Sequence, residues 1–227
     1  MKGECLCIFT RYPEAGTTKT RLIPALGADC AACLQHAMTT HVLTVAASVA
    51  KGRRIAVEVR FEGGDMDLMR DAFGNQFAYR PQGDGDLGAR MLRCIGDHFG
   101  SGDSRVVIVG SDVPGVDAGI LSAAFDGLEN HDLVIGPAQD GGYYLIGLRT
   151  DVPVIFQNVA WGTEDVLRQT LETAERLGLS VCMLTTLADV DRPADLQVLE
   201  EAWGEWKKIS TRCSCFPRAR LLSADFK

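Results

Sequence analysis

The chain has 227 residues, 46% hydrophobic and 23% charged, ordinary values for a soluble globular protein with one large core. Its formal net charge of −7 argues against a general nucleic-acid binder, although a small pocket can still be locally basic. No apolar run approaches the roughly 18 residues that span a bilayer, and the apolar stretch before Arg11 is too short for a signal peptide, so a cytoplasmic protein without a membrane partner is expected.

In chain order, Leu6 to Phe9 reads as a buried strand, followed by a long loop to about Ala25. Leu34, Met38, Val42, Val45 and Val49 then recur at helical spacing. Arg54 to Val59 reads as a second strand, mixed in polarity and nearer an edge. Met66 to Phe73 reads as a helix and Gln76 to Tyr79 as a short strand. Leu87, Met91, Ile95 and Phe99 fit one helical face. Val106 to Val109 is a short β-branched run suited to a central strand. Ala118 to Leu128 is a helix, and Leu133 to Ile135 and Tyr143 to Leu148 are strands. Glu164 to Leu177 is a helix stopped by Gly178, Val181 to Leu184 a strand, and Ala194 to Trp203 a last helix. This alternation predicts an α/β fold: three layers, α/β/α, around a mostly parallel sheet. Residues 1–206 form one domain. After Trp206 the pattern is lost, and 207–227 read as a tail that docks on its own domain or on a second subunit.

Eight cysteines include the pairs Cys5/Cys7, Cys30/Cys33 and Cys213/Cys215. Disulfides are not expected in a cytoplasmic protein. Cys30 and Cys33 open a long amphipathic stretch instead of following a thioredoxin-like strand, and no second C-x-x-C or clustered histidine completes a zinc site. Cys5 and Cys7 alternate along a strand, where cysteine acts as a small apolar residue. The four histidines are scattered and read as structural.

Three polar, Gly-containing segments sit where apolar strands end, the place where open α/β sheets bind ligands. The first runs from Arg11 to Leu22. It is not a Walker A loop, because two threonines separate Gly16 from Lys19. Gly16 still permits close backbone approach to a phosphate, Lys19 adds a point charge and Arg21 a planar fork. The second, Gly110-Ser-Asp-Val-Pro114, puts Asp112 at the tip of the central strand. A carboxylate there is costly unless paired or bound to a cation. Asp117 is the better helix cap, which leaves Asp112 for a hard ion. The third is Pro137 to Tyr143, where Asp140 and two glycines let a sugar or phosphate reach the backbone. Gly83 to Gly88 matches G-x-G-x-x-G but lies far from the first βα turn, so it reads as a helix start or a loop closing over a base. Asp189 to Pro193 is a second acidic turn, and Asp191 could share one ion with Asp112.

Seven ordered segments carry a resemblance: Phe9 to Gly16, Lys19 to Leu22, Gly83 to Gly88, Gly110 to Pro114, Gly136 to Gly147, Trp161 to Thr163 and Asp189 to Pro193. Together they resemble the DUF2064, or selenodomain-associated transferase 1, family, some of whose members are called arsenosugar-biosynthesis glycosyltransferases. The likeness runs from Leu6 to about Leu199 and leaves the tail out. It implies a GT-A-like fold shared with nucleotide-diphospho-sugar transferases and with sugar-phosphate and phospholactate nucleotidyltransferases. By resemblance, Arg11, Gly16, Lys19 and Arg21 clamp the phosphates, and Gln82, Gly85 and Asp86 read the base. Asp112 and Asp191 hold Mg²⁺ or Mn²⁺, while Asp140, Gly141, Tyr143, Trp161 and Thr163 line the sugar or acceptor side. Lys19, Arg21 and Asp112 carry the catalysis. The expected activity is transfer of a sugar from a nucleotide donor to a small acceptor. One alternative is a phospholactate guanylyltransferase-like reaction that releases pyrophosphate. Another is a regulatory domain that binds nucleotide without turnover.

Overall fold

The computed structural model describes residues 3–203. The expected tail, 207–227, with Cys213 and Cys215, lies outside the described residues. Among the described residues, seven strands form one sheet: β1 (Glu4–Arg11), β2 (Ala56–Glu62), β3 (Ala78–Pro81), β4 (Arg105–Gly110), β5 (Leu133–Pro137), β6 (Tyr143–Leu148) and β7 (Val181–Met183). Their order is β3-β2-β1-β4-β6-β5-β7. β6 runs antiparallel to β4 and β5, and every other neighbouring pair is parallel.

Side chains on a strand alternate between its two faces, and β1 shows why the molecule has three layers. Leu6 and Ile8 point into a core with Val42 and Ala46 of α2 (Ala28–Arg53), Met69 and Phe73 of α3 (Met66–Phe73), and Leu121 and Phe125 of α5 (Ala118–Asn130). Cys5, Cys7 and Phe9 point the other way, toward Met91, Cys94 and Ile95 of α4 (Leu87–Gly100) and Ala174 of α6 (Val166–Arg176). A third apolar cluster joins Leu34 and Met38 of α2 to Leu199 of α7 (Leu196–Trp203) and to Val190. Asp65, Asp86 and Asp117 cap α3, α4 and α5 by accepting from backbone N–H groups of the first turn. Because Asp117 does this for α5 at 2.8 Å from Ile120 N, Asp112 is left for other work.

Three expectations are corrected. The second strand begins and ends later than its polarity suggests, although it does lie near an edge, beside the edge strand β3. The reason is pairing: Arg60, almost fully buried in β2, donates to Glu58 and to Asp97, so charged residues occupy an interior strand without being stranded. The long loop to Ala25 contains a 3-10 turn, Thr20–Leu22, and a one-turn helix, α1 (Ile23–Leu26), anchored by buried Leu22. Cys33 is disulfide-bonded; the expectation of thiols throughout rested on compartment alone. Cys5, Cys7, Cys94 and Cys182 are thiols. No helix among the described residues is long and apolar enough to cross a membrane.

Candidate active site

The carboxyl ends of β1 and β4, and the turn from β5 to β6, open on one cleft of about 610 Å³. Its walls include Arg11, Lys19, Arg21, Gln82, Asp112, Asp140, Tyr143, Trp161, Thr163 and Asp191. Folding thus gathers ten of the residues singled out in the sequence. Gly16, Gly85, Asp86 and Gly141 are not on that wall and act through backbone geometry or capping. Gly16 has φ +90° and Gly85 φ +100°, values that L side chains rarely adopt. Asp86 accepts from Ala89 N at 2.8 Å, which commits one oxygen to the helix start. Gly141 (φ +89°) lies so close to the Glu164 backbone that a Cβ would meet its carbonyl oxygen at 2.3 Å.

The loop after β1 is pinned before it presents its charges. Buried Thr18 donates to the Tyr12 carbonyl at 2.8 Å. Lys19 then takes a left-handed backbone conformation, φ 49°, and sends its ammonium inward. Lys19 Nζ donates to the Val190 carbonyl at 2.7 Å and lies 3.0 Å from Asp112 Oδ1. The lysine side chain is 4% exposed and the aspartate side chain 52%, so both line the cleft but the carboxylate is the more open of the two. Two residues on, Arg21 Nη1 reaches Asp191 Oδ2 at 2.5 Å on the exposed rim. Each of the two metal candidates, Asp112 and Asp191, is therefore matched with one basic candidate.

Below the cleft sits a buried polar floor. Thr10 and Thr39 hydroxyls are 2.7 Å apart, and Gln35 Nε2 lies within 3.1–3.2 Å of Thr10, Thr39 and Ser111 hydroxyls. Hydroxyls that donate and accept to one another need no water to satisfy them. Gln82 spends both amide hydrogens on the Thr10 and Arg60 carbonyls, at 3.1 and 3.0 Å, while its oxygen accepts from Arg90. It ties β1 to β2 and leaves no side-chain donor for a base.

Sequence reasoning missed Glu62 and Arg90. Arg90 donates to Glu62 Oε1 at 3.2 Å and lies 2.9 Å from Oε2, which Arg11 also reaches at 2.6 Å. The two guanidiniums, Arg90 first, hold the Glu62 carboxyl below its ordinary pKa. Nothing in the local sequence marks either residue; the contact alone does. Asp189, within a segment the sequence did mark, also lines the cleft. Loss of solvation, and then the charge of Asp140, pushes its carboxyl up. On the far wall Trp161 meets Tyr143 edge to face, with ring centroids 6.3 Å apart, and burial pushes the Tyr143 hydroxyl's pKa up. Trp161 also lies against the first turn of α4: a Cβ on Gly88 would meet its indole nitrogen at 2.3 Å.

The comparisons with known proteins agree with this fold. A crystal structure from Desulfovibrio desulfuricans G20, provisionally designated a nucleotide-diphospho-sugar transferase, is 34% identical, with a TM-score of 0.80 over 97% of this chain and 95% of that one. Two more distant structures share the fold. One is glucosyl-3-phosphoglycerate synthase from Mycobacterium tuberculosis, in complex with Mn²⁺, UDP and glucosyl-3-phosphoglycerate (13% identity, TM-score 0.53, 89% and 80% coverage). The other is 4-diphosphocytidyl-2C-methyl-D-erythritol synthase from Anaerococcus prevotii DSM 20548 (9% identity, TM-score 0.59, 91% and 99% coverage). No curated protein matches the chain. The family model described as "Uncharacterized protein conserved in bacteria (DUF2064)" matches residues 44–163. With that match and the 34% identity over nearly its whole length, the chain belongs to the DUF2064 family.

Proposed function

We propose that the protein is a nucleotide-diphospho-sugar transferase that moves a sugar from a nucleotide donor to a small acceptor, with Mg²⁺ or Mn²⁺, as a soluble cytoplasmic enzyme. The observation that carries this reading is the double pairing of Lys19 with Asp112 and Arg21 with Asp191 on one cleft wall. Two cations beside two carboxylates suit a diphosphate that arrives with its own counter-ion. The cations take phosphate oxygens and the carboxylates take the metal. The likeness to the Desulfovibrio protein supports the same class.

The donor set fits a hard divalent cation. Asp112, Asp140, Asp189 and Asp191 all line the cleft and offer only oxygen. Asp112 and Asp191 would hold the ion, which when bound would neutralise charge on the leaving diphosphate. Lys19 fixes Asp112 from behind, and Arg21, on the exposed rim, swings between Asp191 and the phosphates. Arg11 and the backbone of the loop through Gly16 face the nucleotide, and the turn through Gly85 and Asp86 closes over the base. Asp140, Gly141, Tyr143, Trp161 and Thr163 form the sugar and acceptor side. The acceptor hydroxyl oxygen would bond to the sugar's anomeric carbon as the carbon's bond to the diphosphate breaks, the hydroxyl proton passing to solvent and a nucleoside diphosphate leaving.

A second reading, nucleotidyl transfer, draws on the presence of Asp191 in the same cleft as Asp112, because two carboxylates could grip one ion beside a triphosphate. A panel of nucleotides and nucleotide sugars with Mg²⁺ or Mn²⁺, scored first by thermal shift, selects the donor. Turnover then decides. Nucleoside diphosphate release from a nucleotide sugar is the expected result. Pyrophosphate release from a triphosphate would replace sugar transfer with nucleotidyl transfer. Tight nucleotide binding without turnover of either donor class would mark a regulatory domain.

A further inference from the structure

Away from the cleft, on the α4 side of the sheet, thiols, an imidazole and a carboxylate converge. Cys5 and Cys7 are two apart on β1 and share a face. Glu58 of β2 lies in register with Cys7. Cys94 and His98 are four apart on α4, one turn above the other. Strand and helix periodicities thus bring the residues together, although they are scattered in sequence. One ligand atom from each of Cys7, Glu58, Cys94 and His98 lies within 4.8 Å of every other. Cys5, Cys7 and Cys94 are fully buried, and Glu58 nearly so.

We propose that Cys7, Glu58, Cys94 and His98 form a site for one thiophilic divalent cation of the zinc class. The ligand types are the first argument: thiolate and imidazole select zinc-like ions, whereas the cleft offers oxygen alone. Spacing is the second. A tetrahedral ion with sulfur at about 2.3 Å and nitrogen or oxygen at about 2.0–2.2 Å sets neighbouring ligand atoms about 3.3–3.8 Å apart. His98 Nε2 lies 3.2 Å from Glu58 Oε1, and Cys5 Sγ, a fifth donor, lies 3.8 Å from Cys7 Sγ and 3.6 Å from His98 Nε2. The third argument is support from behind. His98 Nδ1 lies 2.9 Å from Asp103 Oδ2, the carboxylate–histidine arrangement that aims the other ring nitrogen at a metal. Arg60 shares Glu58 Oε1 with His98, Arg80 takes Oε2, and the two guanidiniums offset the negative charge that thiolates would add.

The test uses the full chain, purified under reducing conditions, stripped with a chelator and titrated with Co²⁺ and then Zn²⁺. The expected result is one tight equivalent, with thiolate-to-cobalt charge-transfer absorption and tetrahedral d–d bands that Zn²⁺ bleaches. Cys94→Ser should weaken binding and cut the charge-transfer band to about half, the double variant Cys7→Ser/Cys94→Ser should lose it, and Asp112→Asn should keep it. If Cys94→Ser does not fold by circular dichroism, His98→Gln serves in its place and should lose tight binding. Absence of thiolate-to-cobalt absorption in the wild-type protein would overturn the proposal and leave the cluster a closed hydrogen-bonded network. So would a band of undiminished intensity in the double variant Cys7→Ser/Cys94→Ser, since its thiols would then lie elsewhere.

Discussion

Lys19 Nζ sits 3.0 Å from Asp112 Oδ1 and 2.7 Å from the Val190 carbonyl, so one buried ammonium joins the loop after β1, the loop after β4 and the segment ahead of α7. Charge-assisted contacts of this kind are worth about 1.5–3 kcal/mol. Lys19→Ala should weaken nucleotide binding about ten- to a hundredfold by calorimetry, while the protein stays folded. Its urea midpoint should also fall, because the Val190 carbonyl loses a charged donor. Unchanged nucleotide affinity would remove Lys19 from the phosphate clamp.

Asp112→Asn keeps the shape of the side chain and removes its charge. It should abolish metal-dependent turnover and leave metal-free nucleotide binding largely intact. The amide oxygen can still accept from the buried Lys19 ammonium, so the stability cost should stay at or below the roughly 1.5–3 kcal/mol of a charge-assisted contact. Asp191→Asn should be equally severe only if both carboxylates grip one ion. Turnover at saturating Mn²⁺, compared across the two variants, separates one-carboxylate from two-carboxylate use.

Glu62→Gln probes the clamp on the cleft rim. The guanidiniums of Arg90 and Arg11 hold the Glu62 carboxyl below its unfolded value. The stability it adds is therefore fully present above the unfolded pKa and is lost as the pH falls through the folded one. Partly exposed pairs of this kind contribute up to about 1 kcal/mol. The variant should be less stable than wild type at neutral pH by about that much and equal to it in acid. Urea unfolding at both pH values checks this. An equal gap in acid would show that packing, not charge, is responsible.

Gly88→Ala tests the link between α4 and the acceptor wall. The added methyl would sit 2.3 Å from the Trp161 indole nitrogen. Trp161 has to move, because the helix backbone cannot. Overpacking costs about 1–3 kcal/mol in a tight site, and the lower end applies here because Trp161 is only partly buried. The expected outcome is a folded protein with altered tryptophan fluorescence, unchanged nucleotide affinity and a raised KM for the acceptor. An unaltered emission spectrum would place Trp161 elsewhere in solution.

Much of this molecule is legible in its sequence where chemistry and position coincide. Val106 to Val109 announces a central strand by its β-branched run, and Asp112 follows at its tip. Met66–Phe73 and Tyr143–Leu148 keep their expected bounds in the fold. What stayed hidden depends on partners distant in sequence. Arg60, beyond the expected end of the second strand, belongs to it because Glu58 and Asp97 neutralise its buried charge. Gln82 looks like a base reader until its amide hydrogens are traced to two backbone carbonyls. Glu62 and Arg90 carry no motif, and the C-x-C of β1 becomes chemical only when α4 lays Cys94 and His98 over it.

The antiparallel strand has a consequence for how such a protein can change. A parallel crossover needs a dozen or more residues between strands. By reversing β6, the chain returns from Pro137 to Tyr143 in a short turn, so one contiguous peptide supplies both strand tips on the acceptor wall. The donor wall comes from β1, β4 and the segment through Asp191. The two walls are nevertheless joined: Gln139 N in that turn donates to the Leu187 carbonyl, three residues before the Val190 carbonyl that holds Lys19. A change in the turn from 138 to 142 therefore reaches the Lys19–Asp112 pair through that segment.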